Sequence, residues 1–349
     1  MHTTIRPVWI GSLLLALSCH AAASPWLLSA GEVVVSTRFD YAQADQEFLA
    51  SNGRLTHFSL DGKYSSSTYT LGARFGLSDW LELEMSLPMR RVVYTADPVI
   101  LVPTDRTGNA GFDYYQENVI DLNQEVSGFA DLHVAGRFQV IKRPIAIALE
   151  LSISAPTGYD PPEGTFGESP SSTADFLADP GRYARPENVR DDVTLGDGKL
   201  AITPAFLLGY GSGFGFFART SAGVRFRFNG AGDAFVSELK FGQMVRKWLL
   251  IYAGAGLEWT ITKGDVIGVS VAAKNAKLPA SQYGGLTNLE LIEVTLDRDQ
   301  LLIPIGAIIQ VLDGVEFNFA YGQVVWGRNV ARSHNLSAGV SVKTAFLER

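Results

Sequence analysis

The chain has 349 residues, with 29 Lys and Arg against 36 Asp and Glu and a formal net charge of −7. Charged residues make up 19%, below the ~25% usual in soluble domains, and an acidic balance without a clustered basic patch speaks against a nucleic-acid partner. Mean hydropathy is +0.10, yet past the N-terminus no apolar run approaches the about 18 residues of a membrane helix. The hydropathy therefore has to come from alternation, which is the signature of β-strands.

Residues 1–23 read as a secretory signal peptide, with Arg6 as the positive region, an apolar stretch over 9–17 and Ala21-Ala22-Ala23 as the cleavage site. Cys19 is the single cysteine, so cleavage after Ala23 leaves no thiol, disulfide or cysteine ligand. The rest, 24–349, is expected to form one domain.

Alternation then recurs in twelve segments, 33–41, 68–77, 81–90, 131–141, 145–154, 199–210, 216–228, 235–245, 249–262, 301–312, 315–325 and 336–346. In the third, Leu81, Leu83, Met85 and Leu87 share one face and Glu82, Glu84 and Ser86 the other. Each segment suffices for the about 9–11 residues of a tilted membrane strand. Tight links at Ser78-Asp79, Lys142-Arg143-Pro144, Gly211-Ser212-Gly213, Arg246-Lys247 and Asp313-Gly314 take turns with links that are mostly longer, at 42–66, 95–126, 158–195, 229–233, 263–300 and 326–334.

A soluble barrel alternates as well, so two further features decide between the two. The polar face is rich in small residues (Gly72, Ser86, Ala148, Ser152, Ser221, Gly254) instead of a dense Lys/Glu coat. Aromatics gather at segment ends, with Trp80, Phe138, Tyr210, Trp248 and Phe346 on the short-turn side and Tyr41, Tyr69, Phe228, Trp259, Tyr321 and Trp326 on the other, as interfacial girdles do. The expected fold is all-β: a closed antiparallel transmembrane β-barrel of about twelve strands, with periplasmic termini and long extracellular loops. It would sit in the outer membrane of a Gram-negative cell, with outer-membrane lipids and the barrel-assembly machinery as partners.

Proline and loop positions sharpen the expectation. Pro204 and Pro304 fall inside segments, where each deletes a ladder hydrogen bond and marks a bulge. Pro88 and Pro156 fall where a strand is expected to leave the sheet. Within 263–300, 269–277 suggests a short helix and 289–296 a strand extension.

The inward face carries both signs of charge. Basic positions are Arg38, Arg74, Arg90, Arg137, Lys199, Arg219, Arg225, Arg227, Lys240 and Lys343; acidic ones are Asp40, Glu82, Glu84, Asp131, Glu150, Glu238, Glu258 and Glu316. Across the first tight turn Arg74 should meet Glu82 or Glu84. With His133, these residues either line a polar pathway or form a paired network that stiffens a filled barrel, and twelve strands do not decide between the two. At the expected outer mouth, Arg38, Arg90, Arg225 and Arg227 either attract anions or, the preferred reading, pair in a solvated rim with Asp40, Asp131, Glu238 and Glu258 at similar height.

No catalytic, cofactor-binding or metal site is expected. His57, His133 and His334 are the histidines beyond the signal. Ser333-His334-Asn335 has hydrolase residue types, but neighbours on a strand point to opposite faces and cannot form one triad. His133 and Asp131 read as a structural pair on one face.

The run Tyr69-Thr70-Leu71-Gly72-Ala73-Arg74-Phe75-Gly76-Leu77-Ser78-Asp79-Trp80-Leu81-Glu82-Leu83, leading into Ser86-Leu87-Pro88, resembles a hairpin of the phenol meta-pathway degradation family of outer-membrane proteins. Gly128-Phe129-Ala130-Asp131, Ser154-Ala155-Pro156-Thr157-Gly158 and Leu195-Gly196-Asp197-Gly198 match it too. The resemblance covers most of 31–346, is specific mainly in 66–228, and is slight over 263–300. It implies a transporter-like barrel acting on aromatic or other small hydrophobic compounds, and it supplies no catalytic or binding residues. Where such barrels often end on an aromatic, Leu347-Glu348-Arg349 here follow Phe346. The aspartates of the Gly–Asp openings are expected to bond loop backbone. The functional expectation is a passive channel for a small solute; the alternatives are a closed barrel acting structurally or through its loops, and an outer-membrane lipid hydrolase.

Overall fold

The computed structural model describes residues 24–345 except 50–51, 59–60, 98, 101–118, 121–122, 163–169, 184–192, 274 and 276–288. The signal segment 1–23 and Phe346 lie outside the described residues. Twelve wall strands follow in chain order: β1 (Glu32–Ala44), β2 (Lys63–Ser78), β3 (Leu81–Thr95), β4 (in two parts, Gln124–Phe129 and Leu132–Ile141), β5 (Ile145–Ala155), β6 (Ala201–Gly211), β7 (Phe216–Arg227), β8 (Ala234–Arg246), β9 (Leu249–Thr260), β10 (Asp299–Leu312), β11 (Val315–Arg328) and β12 (His334–Ala345). Each pairs antiparallel with its chain neighbours, and β12 returns to β1 from Glu32↔Ala345 to Gln43↔His334, which closes the barrel.

The alternation resolves into an inverted interior. On β5, Leu149, Leu151 and Ile153 point outward at 49%, 53% and 40% exposure, while Ala148, Glu150 and Ser152 are buried. An apolar outer face over a polar inner one has lipid as its natural solvent. The expected girdles are present: Trp80, Phe138, Tyr210 and Trp248 stand exposed at the short-turn end, and Tyr69, Phe228, Trp259, Tyr321 and Trp326 at the loop end.

Turn and proline details differ from expectation by small, explicable amounts. The β6–β7 turn starts after Gly211, because Ser212 Oγ accepts the Phe216 N–H and Gly215 takes the left-handed φ of 82° that the return requires. Pro88 does not end its strand, since β3 runs on to Thr95; it pairs with Thr70 of β2. Its missing N–H coincides with the break in β4, where Ala130 and Asp131 bulge and the Ala130 N–H donates to the Pro88 carbonyl. Pro204 and Pro304 likewise fall in gaps of the β6–β7 and β9–β10 ladders. The region expected as a helix over 269–277 is instead a strand, Gly268–Ala273, paired with Leu289–Val294.

The N-terminal stretch 24–30, which carried no expectation of its own, runs inside the barrel at the short-turn end. Leu28 is fully buried against Val34 of β1, Leu27 packs on Ala148 and Leu207, and Trp26 packs on Phe217, Leu250, Tyr252 and Ile308. These contacts reach β1, β5, β6, β7, β9 and β10, so the segment crosses the lumen. Small wall residues make room for it: a Cβ on Gly209 would come within 2.5 Å of Pro25 Cγ and 2.7 Å of the Trp26 ring.

Single-tryptophan variants check this geometry. Brominated lipid should quench Trp80, Trp248, Trp259 and Trp326 but leave Trp26 bright; equal quenching of Trp26 would place it on the lipid face instead.

Candidate functional site

The short-turn half of the lumen is a charge-paired layer. Register sets Glu82, Arg137 and Glu150 directly opposite one another on β3, β4 and β5, and Arg74 of β2 opposite Glu84. Arg74 donates to both oxygens of Glu82 at 2.8 Å, the partner expected across the first turn. Arg137 donates to Glu82 at 2.7 Å and to Glu150 at 2.6 Å, and lies 2.6 Å from Glu84. Buried charges are tolerable when their partners and remaining hydrogen bonds are supplied. Glu82 also accepts the Leu28 N–H at 2.7 Å. Gln139 accepts the Leu27 N–H and donates to the Pro25 carbonyl, so the ionic layer and the N-terminal segment are one assembly.

Above this layer lies a cavity of about 1090 Å³ that extends to Arg298, Asn329 and Val330 at the loop end. Of the candidates named from sequence, Arg38, Asp40, Arg74, Glu84, Arg90, Asp131, His133, Glu150, Arg225, Glu238, Lys240 and Glu258 line it. Glu82, Arg137, Arg219 and Arg227 are buried in the wall or beneath it. Ser and Thr hydroxyls supply much of the remaining surface, and Tyr64 is its one aromatic ring among the described residues.

At the loop end a second network ties loops to wall. Asp197 accepts from Arg298 at 3.2 Å and from Arg227 at 3.5 Å, while Arg225 and Arg298 both reach Glu258. Burial would raise the Asp197 carboxyl, but the Arg298 and Arg227 guanidinium groups hold it below the usual carboxylate range. The Tyr159 phenol is pushed up by burial and by its hydrogen bond to Asp131. The two Gly–Asp aspartates therefore bond side chains, where backbone partners were expected. Asp131 and His133 do not pair: the bulge turns Asp131 to Tyr159, and His133 Nδ1 lies 3.3 Å from Ser154 Oγ. His334 bonds Tyr321 and His57 bonds Gln46, so neither meets a serine among the described residues.

Sequence reasoning did not single out Tyr159, Gln139, Arg298 or the 24–30 segment as parts of the lumen. The segment had a visible signal in Pro25-Trp26-Leu27-Leu28, an apolar run placed before the first alternating strand. Arg298 had none, because it sits in a loop whose path the pattern does not define.

No family profile and no curated protein matches the sequence. Among solved structures, the chain is similar to the COG4313 outer membrane channel from Pseudomonas putida F1, at 11% identity and a TM-score of 0.57 over 91% of this chain and 97% of that one. The NanC porin aligns at 7% identity and a TM-score of 0.43, over 89% and 100% of the two chains. The CymD monoaromatic hydrocarbon channel aligns at 8% and 0.41, over 92% and 90%. At such identities the likeness is one of fold.

Two outcomes follow from the networks. Arg137→Met removes the arginine shared by three buried carboxylates, takes from Glu150 its ion-pair partner and should cost roughly 3–5 kcal/mol, read as a lower temperature for the heat-induced gel shift than in the parent. Asp197, held below its unfolded value, stabilises fully above that value of about 3.9 and loses its contribution as pH falls through the folded one. Amide protection over 193–200, corrected for intrinsic exchange, should therefore drop below about pH 4 and become flat with pH in Asp197→Asn.

Proposed function

We propose that this protein is an outer-membrane channel through which a small solute diffuses, with residues 24–30 as a stopper at the periplasmic end. The observation that carries the reading is the polar cavity of about 1090 Å³ inside a wall whose outer face is apolar. Such a wall suits a bilayer, and a solvated interior suits passage of a polar solute. On this reading 1–23 is the export signal, outer-membrane lipids contact the apolar belt, and the barrel-assembly machinery inserts the chain. The activity is transport without chemistry: His133, the histidine beside a serine, has no carboxylate orienting its second nitrogen among the described residues.

The resemblance to the phenol meta-pathway degradation family points to aromatic or hydrophobic compounds. The lumen wall, with hydroxyls, amides and ion pairs, favours those that carry a polar group. A second reading, a closed barrel acting structurally or through its loops, draws support from the filled short-turn end.

Planar-bilayer recordings separate the two. The mature chain should conduct little, and Trp26→Ala or removal of 24–30 should raise conductance severalfold. In the Trp26→Ala background, Leu28→Cys with Val34→Cys, in a chain whose single native cysteine is Cys19, should hold conductance low when oxidised and release it on reduction. Silence in every variant that shows the folded gel shift would sink the channel and leave the closed barrel.

A further inference from the structure

The cavity wall changes character on β1–β4. Register places Arg38, Thr70 and Pro88 in one inward row, with Asp40, Thr68 and Arg90 one step nearer the loops. Gly72, Ser86 and His133 lie one step nearer the stopper. All nine line the cavity.

Six basic and six acidic side chains line this space. Arg38 holds Asp40, Arg74 holds Glu82, Arg225 and Arg298 hold Glu258, and Lys240 holds Glu238. Arg90 differs. Its Nε donates to Thr68 Oγ1 at 3.2 Å and its Nη1 to the Leu195 carbonyl at 2.8 Å, both neutral acceptors. Among the described residues no carboxylate lies within ion-pair distance of it. Nearby, Thr70 Oγ1 and His133 Nε2 are buried polar atoms with no hydrogen-bond partner. His133 Nδ1 shares a hydrogen bond with Ser154 Oγ, and when that hydroxyl donates, Nε2 carries the hydrogen and is a donor. An orphaned donor of this kind costs about 1–3 kcal/mol when nothing meets it.

This wall thus offers two buried polar groups with no partner among the described residues, the Thr70 hydroxyl and His133 Nε2, beside a guanidinium whose protein acceptors are neutral. Thr70 is the diagonal neighbour of Arg90 across the β2–β3 pair, a spacing of about 7–8 Å that a long side chain bridges. His133 lies two strands from Thr70, roughly 10 Å away by strand spacing.

We infer that this wall binds the carboxylate of a small monoanionic solute. The Arg90 guanidinium and the Thr70 hydroxyl take the carboxylate, and His133 and Ser86 meet a hydrogen-bonding group farther along the same molecule. The inference rests on the lumen being the solute's route and adds the solute's chemistry. A charge-assisted bond from arginine is about twice as strong as a neutral one, which selects an acid over its amide. One negative charge is favoured over two, because Asp131, Glu84 and Glu150 line the same space and repel a second.

The test compares 4-hydroxybenzoate with 4-hydroxybenzamide, the same shape without the charge, by calorimetric titration of the refolded mature chain in detergent. The acid should bind at least about tenfold more tightly than the amide. Arg90→Gln should abolish that preference, Arg90→Lys should restore part of it, and Thr70→Val and His133→Gln should each weaken the acid severalfold. Equal affinity for acid and amide would overturn the inference, as would full preference in Arg90→Gln. Should Arg90→Gln fail to fold, acid affinity unchanged in both Thr70→Val and His133→Gln would overturn it. Because binding is read without a membrane, the two readings fail separately. Acid preference in a barrel that stays silent after removal of 24–30 would remove the channel and keep the site, while conductance without acid preference would do the reverse.

Discussion

Glu82 is the point on which the interior turns. Its two oxygens serve Arg74, Arg137 and the Leu28 amide together, so one carboxylate joins three wall strands to the N-terminal segment. In a lumen walled off from bulk water an unpaired carboxylate is expensive, and so are two arginines sharing one partner too few. The arrangement settles both by stacking Glu82, Arg137 and Glu150 across adjacent strands, where directly opposed residues are close neighbours. The N-terminal segment then has a fixed acceptor for an amide that would otherwise be buried without one.

The same constraint explains the small residues of the inner face. From sequence they mark a membrane barrel rather than a soluble one, and inside that barrel they leave space. In the structure part of that space is taken: Ala148 and Gly209 give way to Leu27, Pro25 and Trp26. Small residues on an inner wall therefore mark either free volume or a partner still to be placed, and composition does not tell which.

The strands were legible because lipid outside and polar groups inside enforce a period of two over ten residues, a pattern no turn or loop imitates. The Arg74–Glu82 contact was legible for the same reason, being two strands joined by a tight turn. What escaped depends on three-dimensional closure. The break at Ala130-Asp131 moves Asp131 out of step with His133, and a bulge leaves no mark in an alternating pattern beyond the proline on the facing strand. Arg298 and Asp197 meet across 101 residues of chain, and strand register sets no such loop contact. The stopper escaped because 24–30 has neither alternation nor a turn, only apolar side chains that could have packed anywhere.

The two halves of the lumen then set different conditions for passage. Burial of Leu27 and Leu28 is worth roughly 1.5–3 kcal/mol each and the half-buried Trp26 adds less, an upper figure since the freed segment hides part of that surface again. Each 1.4 kcal/mol is a factor of ten, so burial of the two leucines favours the seated segment by at most roughly two to four orders of magnitude. The upper half, by contrast, holds a polar cavity of about 1090 Å³ among the described residues. On the proposed channel reading, passage to the short-turn end requires the segment to move, unless the occupant itself weakens the hold on it. Glu82 and Glu84 are where that coupling would act: an anion drawn to Arg90 adds negative charge above the Arg74–Glu84–Arg137 layer and competes for the arginines that brace Glu82. On the proposed reading, the bracing of the carboxylate that fixes the stopper is expected to weaken for a solute of that charge and to stay intact for a neutral one of equal size.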